Sequence, residues 1–301
     1  MNEIIVDFDS TVGLESRPMD DALALLYLLG RPEEARVVGV TCTFGNDTAG
    51  QVYRSTQDFL AQVRPELPFF PGSEAGEDPR SPAARFLAQA VRERPGERSI
   101  LAIGSLTNLY GASLLDPAFF ENVKELVFMG GITAPLLYHG QPLDELNFSV
   151  NPTAAAHVLR GGRKISILTG NNTLEPSYLP MDEFCAQLES AETPSARYIR
   201  QLCLYRFADK ARRYGEAGSY CWDAVAAVYL LHPELFTGRL TPCRITEEHL
   251  KQGFLAPEPD GAGSGLVTLN LPQVTDAAAY RAEMYRGWRD FRLPGEEDRH
   301  G

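Results

Sequence analysis

The sequence predicts an α/β fold, with one domain over residues 1–301 and a mostly parallel sheet flanked by helices. Short apolar, β-branched runs alternate with helical patterns in the first half of the chain. Strands of this kind are apolar on both faces, which is typical of a parallel sheet covered on each side. The chain has no internal repeat and no long linker, and its 44% hydrophobic residues suffice for a sizeable core.

Seven short runs predict the strands. Five of them predict the parallel sheet: EIIV (3–6), RVVGVTC (36–42), SILAI (99–103), ELVFM (125–129) and KISIL (164–168). Two later runs, GRLTPCRIT (238–246) and GLVTLNLP (265–272), flank a Gly/Pro-rich loop. This arrangement predicts a small antiparallel edge near the C-terminus.

Start and stop signals predict the helices. One helix follows Pro18 and ends at Gly30, and another begins at Ser81 and ends before Pro95. Apolar residues recur at helical spacing over 51–63 and predict one buried stripe there. Further helical patterns lie in 176–235 and 276–291.

Charge and composition limit the possible partners. A net charge of −12 argues against a nucleic-acid or anionic membrane surface, because such partners need a basic footprint. No apolar run reaches the length of a membrane span, and the first residues lack the pattern of a signal peptide. The five cysteines include no C-x-x-C pair, which argues against a disulfide framework or a zinc site. We therefore expect a cytoplasmic protein that acts on a small molecule.

Polar residues follow the predicted strands or open the helices after them. Ligands of parallel α/β sheets bind outside the carboxyl ends of the strands, so these side chains are candidates for one site. In chain order they are Asp7, Asp9, Asp20, Asp21, Asn46, Asp144, Glu145, Asn147, Asn151 and Asp223.

The carboxylates among them indicate a hard cation, because Ca²⁺ and Mg²⁺ take oxygen ligands and no histidine or cysteine accompanies the acids. Water bound to such a cation has a lowered pKa, and a neighbouring carboxylate can take its proton. An ordinary helix cap would explain Asp20 or Asp223 alone equally well. Four crowded acids cost stability unless a cation compensates them, which favours the cation site.

The motifs together resemble the calcium-dependent inosine/uridine-type nucleoside hydrolases. The matching segments are DFD followed by DDALAL, GVTCTFGN, LAIGSLTNL, KELVFMGG, ELNFSVNPTAA and WDAVAAVYLLHP. They follow in the family's order from residue 3 to about residue 236, and the order makes the resemblance specific. It implies a Rossmann-like nucleoside hydrolase fold, Ca²⁺ as cofactor, hydrolysis of the N-glycosidic bond of a ribonucleoside, and a homodimer or homotetramer.

The resemblance also implies roles for individual residues. Asp9 would be the base that activates the water, and Asp7 would support its loop from behind. The implied Ca²⁺ ligands are Asp9, Asp21, Asp223 and the carbonyl oxygen of Ile103. The residues implied to bind substrate are Asp20, Asn46, Met129, Glu145, Asn147, Trp222 and Asp223.

The sequence departs from the family pattern in its loops. The first loop is lengthened by STVGLESRPM (10–19), which could cover the pocket. Asn151 stands where the family has an aspartate, and as a helix N-cap it serves equally well. The polar residue that would reach the ribose 5′-hydroxyl is not clearly aligned; His139 or Gln141 could replace it.

Trp222 is the largest departure, because many family members carry a histidine there as the acid for the departing base. A purine-preferring branch carries tryptophan, whose indole stacks on the purine and raises the basicity of N7. Stacking on an aromatic face is worth roughly 1–3 kcal/mol per base. Core packing is the alternative for a large aromatic residue. The position beside Asp223 favours stacking, and with it a purine or a modified purine.

Two other classes of function stay open. The segment DFDST also begins a haloacid-dehalogenase-type phosphatase, in which Asp7 would be the nucleophile, Asp9 the acid/base and Mg²⁺ the cofactor. The late acidic pair that such an enzyme needs does not follow a buried strand here. A non-catalytic riboside-binding protein would keep the pocket and lack the acid.

The basic residues leave the substrate open as well. Arg17, Lys210, Arg212 and Arg213 could meet a 5′-phosphate or a larger base, as in the salvage of a modified purine such as queuosine. For the stretch 205–216, a solvent-exposed helix face is the simpler prediction.

Overall fold

Strands and helices alternate along the chain, as the sequence predicts. The computed structural model describes residues 1–14, 17–138, 140–258, 260–261 and 264–296. Within these ranges the strands are β1 (Asn2–Phe8), β2 (Ala35–Cys42), β3 (Phe69–Pro71), β4 (Arg98–Ala102), β5 (Glu125–Met129), β6 (Leu137–Tyr138), β7 (Gln141–Pro142), β8 (Ile165–Leu168), β9 (Tyr178–Pro180), β10 (Gly218–Tyr220), β11 (Phe236–Thr237), β12 (Leu240–Cys243), β13 (Val267–Asn270) and β14 (Gln273–Val274).

The α-helices of the same ranges follow the predicted pattern, with several short additions. They are α1 (Asp20–Leu29), α2 (Ala49–Val63), α3 (Pro82–Glu93), α4 (Thr107–Leu115), α5 (Phe119–Asn122), α6 (Pro152–Gly161), α7 (Gly170–Thr173), α8 (Met181–Glu189), α9 (Pro194–Tyr214), α10 (Trp222–Leu231), α11 (Glu247–Leu250) and α12 (Ala277–Asp290). A 3₁₀ turn covers Pro233–Leu235.

The main sheet of the described chain has eight strands in the order β12-β13-β8-β5-β4-β1-β2-β3. Every neighbouring pair in it is parallel except β12 and β13, which pair antiparallel. The mostly parallel sheet and the antiparallel C-terminal edge are therefore confirmed. The three-residue strand β3 at the other edge was missed, because so short a run carries no periodic signal.

Side chains of β1 alternate between two helix layers. Ile4 and Val6 pack in one apolar cluster with α1, α2 and α10, whereas Ile5 packs in a second cluster with α3, α4 and α6. Successive residues of a strand point to opposite faces, so a strand covered on both sides must be apolar at every such position. This burial explains why Ile4, Ile5 and Val6 follow one another without a polar residue between them.

Helices α1 and α10 pack against each other, and α12 packs against both. Two glycines let α1 and α12 approach, since a Cβ added at Gly30 would overlap the carbonyl oxygen of Gly287. The indole N–H of Trp288 in α12 donates to the carbonyl oxygen of Leu23 in α1, at 2.9 Å. This packing sets the relative position of α1 and α10, both of which begin with acidic residues.

In the part of the chain that the structure describes, three two-stranded ribbons lie outside the main sheet and were not predicted. They are β9–β10, β11–β14 and β6–β7, and each has at most three paired residues per strand. The ribbons β6–β7 and β9–β10 contribute side chains to the site described below. Among the described residues, no helix combines the length and the apolar character needed to cross a bilayer.

Candidate active site

A cavity of about 240 Å³ opens at the carboxyl ends of the central strands. Strand ends, the starts of α1 and α10, helix α9 and the β6–β7 ribbon form its wall. The site residues expected from the sequence that line it are Asp9, Asp20, Asn46, Ile103, Met129, Glu145, Asn147, Trp222 and Asp223. Only the remaining two, Asp7 and Asp21, lie behind the wall. The topology thus gathers segments that are far apart in the chain.

Three carboxylates form the acidic end of the site. Asp20, Asp21 and Asp223 each offer an oxygen within 4.8 Å of the others, and all three side chains are buried. Asp20 and Asp21 open α1, and Asp223 lies in the first turn of α10. The packing of these two helices therefore creates the cluster, and the positive ends of both helix dipoles favour negative charge there.

Asp9 lies directly beside the cluster. Its backbone N–H donates to Oδ1 of Asp21 at 3.2 Å, and its own Oδ2 accepts from the backbone N–H of Asn46 at 2.5 Å. Glycines leave room for this carboxylate, since a Cβ added at Gly45 would overlap Oδ2 and one at Gly104 would lie 3.0 Å from Oδ1. The lack of a side chain at Gly45 in TFGN and at Gly104 in IGSL is thus explained by the space that the carboxylate of Asp9 occupies.

Burial and mutual repulsion disfavour ionisation of these acids. Burial raises the pKa of Asp9 to about 7. It also raises the pKa of Asp20, Asp21 and Asp223, and for Asp21 and Asp223 the charges of the neighbouring aspartates raise it further. A cation among the oxygens would reverse this effect, because an opposite charge favours the ionised form.

The donor set fits a hard divalent cation. All the candidate side chains present oxygen, and the buried Oδ1 of Asp9 has no hydrogen-bond partner among the described residues. The expected ligands Asp9, Asp21 and Asp223 are neighbours, and Asp20 joins them. The carbonyl oxygen of Ile103 also borders the cavity, although it accepts from the side-chain amide of Asn147 at 3.1 Å.

Asp7 is buried behind the wall. Its Oδ1 accepts from the hydroxyl of Thr41 at 2.6 Å and from the amide of Asn108 at 2.8 Å. The same amide of Asn108 donates to the carbonyl oxygen of Cys42 at 2.9 Å, so Asp7 and Asn108 tie the ends of β1 and β2 together. Burial raises the pKa of Asp7 to about 7. A fully buried carboxyl outside the cavity does not suit the nucleophile of the phosphatase alternative.

The segment ELNF forms another part of the wall. The amide of Asn147 donates to the carbonyl oxygen of Met129 at 2.9 Å and so holds the end of β5. The carboxylate of Glu145 accepts from the backbone N–H groups of Gly131, Phe148 and Ser149 at 2.9 to 3.1 Å. Glu145 therefore shapes the wall in addition to lining it. The implied ribose contacts of these residues stay a prediction.

Trp222 forms an aromatic wall next to the acids. Its ring stacks on Tyr220, with centroids 5.4 Å apart and planes at 19°. The ring is half-buried and lines the cavity, so core packing does not explain Trp222. Tyr220 in turn contacts the rings of Tyr138 and Tyr178, at 5.6 and 5.1 Å. The sequence analysis missed these tyrosines, because the ribbons that carry them have no motif.

Two basic residues of α9 also line the cavity, which corrects the prediction of a solvent-exposed face. Arg206 and Lys210 point inwards, with 19% and 12% of their side chains exposed. Arg212 and Arg213 are 65% and 51% exposed, as predicted, and both pair with Asp209. One feature of the sequence could have indicated this arrangement. Arg206 and Lys210 are four residues apart, which puts both on the same face of a helix.

Of the described residues in the long first loop, those at its C-terminal end contribute to the wall. Pro18 and Met19 line the cavity, whereas the guanidinium of Arg17 faces the loop after β2. It donates to the carbonyl oxygen of Asn46 at 2.9 Å and pairs with Asp47 at 2.8 Å. A role of Arg17 in binding a substrate phosphate is therefore not supported. Residues 15 and 16 lie outside the described ranges.

Three further residues singled out in the sequence were His139 and Gln141, as candidates to bind the ribose 5′-hydroxyl, and Asn151, as a helix N-cap. His139 lies outside the described residues. Gln141 is exposed in β7 and does not line the cavity, so it does not fill that role. The side chain of Asn151 accepts from the backbone N–H of Ala154 at 3.1 Å, which confirms it as the N-cap of α6.

Comparison with known proteins agrees with this site. Residues 4–280 match the family model described as inosine-uridine preferring nucleoside hydrolase. The chain belongs to this family. Its members are metal-dependent nucleoside hydrolases, so the protein is a hydrolase of N-glycosyl compounds that acts on small-molecule nucleosides. The aspartate cluster offers carboxylate oxygens of the kind that a metal-dependent enzyme can use as ligands.

The names of two sequence relatives of this nucleoside hydrolase give uridine or pyrimidine nucleosides as their substrates. A probable uridine nucleosidase 2 from Oryza sativa subsp. japonica is 27% identical over 281 residues, 83% of this chain and 80% of the relative. The pyrimidine-specific ribonucleoside hydrolase RihA from Klebsiella pneumoniae (strain 342) is 26% identical over 247 residues, 72% of this chain and 78% of the relative.

Solved structures show the same fold. The purine-preferring ribonucleoside hydrolase from Gardnerella vaginalis superposes with a TM-score of 0.81 at 18% identity, over 96% of this chain and 99% of that one. A plant nucleoside hydrolase superposes with a TM-score of 0.80 at 20% identity over the same shares. The α/β nucleoside hydrolase fold expected from the sequence is thus confirmed.

Proposed function

We propose that the protein is a Ca²⁺-dependent N-ribohydrolase that cleaves a purine or modified-purine ribonucleoside to ribose and free base. One observation carries the proposal: four buried aspartates lie at one end of a cavity whose adjoining wall is the stacked pair Trp222 and Tyr220. The acids suit a cation and the sugar, and the indole suits a planar base. We also propose a homodimeric or homotetrameric enzyme on the family resemblance alone, and a single domain over residues 1–301 in the cytoplasm on the sequence patterns described above.

In this proposal the carboxylates share three tasks, which are binding the cation, binding the ribose and activating the water. Asp9, Asp21 and Asp223, with the carbonyl oxygen of Ile103, hold the Ca²⁺, and Asp20, Asn46, Glu145 and Asn147 hold the ribose, with Met129 beneath it. The cation, when bound, lowers the pKa of a water ligand and supplies positive charge at the acidic end. Asp9 takes the proton of the attacking water, and its unpartnered Oδ1 is free to do so.

The stacked aromatic pair supports a purine as the base. A larger π surface gains more from stacking, and stacking is worth roughly 1–3 kcal/mol per base. Trp222 is held in place from behind, because Tyr220 stacks on it and its backbone N–H donates to Asp20. The names of the sequence relatives point to uridine or pyrimidine nucleosides instead. The measured preference for purine or pyrimidine nucleosides therefore decides between these two indications, and we expect a preference for purines.

A substrate with an anionic group is a second candidate. Arg206 and Lys210 place two positive charges on the cavity wall, and these could bind the 5′-phosphate of a nucleotide or a substituent of a modified purine such as queuosine. Asp209 and Glu216 partly neutralise them, at 3.7 and 3.8 Å. The neutral nucleoside therefore stays the first candidate.

A substrate panel tests the proposal. Inosine, adenosine, guanosine, uridine and queuosine, with and without a 5′-phosphate, are assayed for release of the base with Ca²⁺ and with a chelator. We expect purine nucleosides to be cleaved with the highest kcat/KM and the chelator to abolish turnover. A strong preference for uridine would contradict the role of Trp222, and a strong preference for the 5′-phosphates would favour the second candidate.

The Asp9→Asn variant separates an enzyme from a riboside-binding protein. It should lose about 10²- to 10⁴-fold in kcat while still binding the nucleoside. The matched control is Asp58→Asn, because Asp58 is exposed on α2, away from the cavity. If the unmodified protein binds nucleosides and turns over none of them, the binding-protein alternative holds.

A further inference from the structure

Lys210, near the C-terminal end of α9, has an unusual environment for a lysine. Its ammonium group lies over the rings of Tyr138 and Tyr214, 4.6 and 4.8 Å from their centroids. Its Nζ donates to the hydroxyl oxygen of Tyr138 at 2.9 Å. The hydroxyl of Tyr138 donates to Glu216, whose carboxylate lies 3.8 Å from Nζ. Lysine, tyrosine and glutamate thus form one hydrogen-bonded chain at the edge of the cavity.

This chain of groups adjoins the place where the base is expected to stack. Tyr138 contacts Tyr220 edge to face at 5.6 Å, and Tyr220 stacks on Trp222. Lys210, Tyr138, Tyr220 and Trp222 all line the same cavity. A base lying against the indole would therefore have the lysine at its rim. No histidine among the described residues lines this cavity.

We propose that Lys210 is the general acid that protonates the departing base, an assignment that rests on the proposed nucleoside hydrolysis. As the bond between C1′ and the base nitrogen breaks, its electron pair passes to the base. A proton moves from Nζ to a ring nitrogen of the base and leaves a neutral amine. The water adds its hydroxyl to C1′ and gives its proton to Asp9. Solvent then returns a proton to Lys210 and takes one from Asp9, so the balance is nucleoside plus water to ribose plus base.

The other polar groups of the wall suit this task less well. The guanidinium of Arg206 does not lose its proton in proteins. The hydroxyl proton of Tyr138 is directed to Glu216, which does not line the cavity. Tyr220 is a second phenol on the wall, and it has to be tested beside Lys210.

The surroundings of Lys210 favour transfer of its proton. Burial lowers the pKa of Lys210, and the positive charge of Arg206 lowers it further, whereas Glu216 and Asp209 act against them. An acid with a pKa closer to the working pH gives up its proton more readily in the transition state. The cation–π contacts and the hydrogen bond to Tyr138 hold the ammonium group in position, with the carboxylate of Glu216 3.8 Å from Nζ.

Two substrates with different leaving groups test the assignment. Inosine needs a proton on the departing base, whereas 4-nitrophenyl β-D-riboside releases a stable nitrophenolate and needs none. The variants are Lys210→Met, Lys210→Arg and Tyr220→Phe. Lys210→Arg keeps the positive charge, but its guanidinium does not give up a proton to the base. Lys251→Met is the matched control, because this lysine is 62% exposed and does not line the cavity.

We expect both Lys210 variants to lose about 10²- to 10⁴-fold in kcat on inosine. On the nitrophenyl riboside they should lose less than about threefold, since this leaving group needs no acid. The control should match the unmodified enzyme on both substrates. Lys210→Arg keeps the test decisive if Lys210→Met folds poorly.

Three outcomes would overturn the assignment. Equal losses on both substrates would mean that Lys210 is structural, and a loss confined to 5′-phosphorylated substrates would mean that it binds an anion. A selective loss on inosine in Tyr220→Phe alone would transfer the role to that tyrosine. If the unmodified enzyme cleaves neither substrate, the proposed function itself fails, whereas cleavage of both with equal losses in the variants removes only the role of Lys210.

Discussion

The backbone N–H of Trp222 donates a hydrogen bond to Oδ2 of Asp20, at 3.2 Å, although the two residues are 202 positions apart. This bond joins the first residue of α10 to the first residue of α1. It therefore couples the aromatic wall to the acidic cluster. A change that displaces either helix start would alter both the proposed base site and the proposed cation site.

We predict that Asp21→Asn weakens Ca²⁺ binding by at least about tenfold, on the scale seen when groups around a metal are removed. Asp21 lies behind the cavity wall, and its oxygen is within 4.8 Å of those of Asp20 and Asp223, so the variant removes one charge without opening the pocket. Isothermal titration of the chelator-treated protein with Ca²⁺ measures the effect. Asp58→Asn serves as the control, and equal affinities of the two variants would contradict a cation site here.

We predict that Trp222→Ala raises the KM for inosine by roughly 5- to 150-fold, which corresponds to a loss of about 1–3 kcal/mol of stacking. Trp222→Phe keeps a smaller ring, so its KM for inosine should lie between that of the unmodified enzyme and that of Trp222→Ala. The KM for uridine should rise less, because a pyrimidine offers less surface to stack. Steady-state kinetics with both nucleosides give the ratio. An equal rise for the two substrates would indicate a general effect on the site through Asp20.

We predict that Gly45→Ala destabilises the protein by about 1–3 kcal/mol, the cost of overpacking a tight site. The added Cβ would overlap Oδ2 of Asp9, so the variant should also lose most of its activity. Gly50→Ala is the matched control, because the closest atom to its added Cβ lies 3.7 Å away, an ordinary contact. Denaturant unfolding and base release are measured for both. An active, fully stable Gly45→Ala would show that Asp9 has more room than the structure indicates.

We predict that kcat for inosine falls on the alkaline side with a pKa below 10.5, the ordinary value of lysine. Burial and Arg206 lower the pKa of Lys210, and an acid must be protonated to act, so activity is present below the lowered pKa and is lost as the pH rises through it. The groups that face Lys210 are Arg206, Asp209, Tyr138, Tyr214 and Glu216. Lys210→Arg should lack this alkaline limb. An identical pH profile in the variant would assign the limb to another group.

The sequence alone predicted the mostly parallel sheet and its antiparallel edge from local signals, and the family resemblance supplied the nine expected residues that line the cavity. Apolar runs mark buried strands, and helix starts with Asp-Asp or Trp-Asp carry chemistry at defined positions of the fold. The reason for the glycines of TFGN and IGSL is visible only in the structure, because their missing Cβ atoms leave room for Asp9, which is distant in sequence.

Only the tertiary structure decided the inward direction of Arg206 and Lys210 and the presence of Tyr138 and Tyr220 in the wall. A charged helix face is exposed or buried according to what packs against it, and the composition of 205–216 is the same in both cases. The β6–β7 and β9–β10 ribbons pair too few residues to be recognised, yet they bring the tyrosines to Lys210 and Trp222. These contacts join segments distant in sequence, so they exist only once the chain is packed.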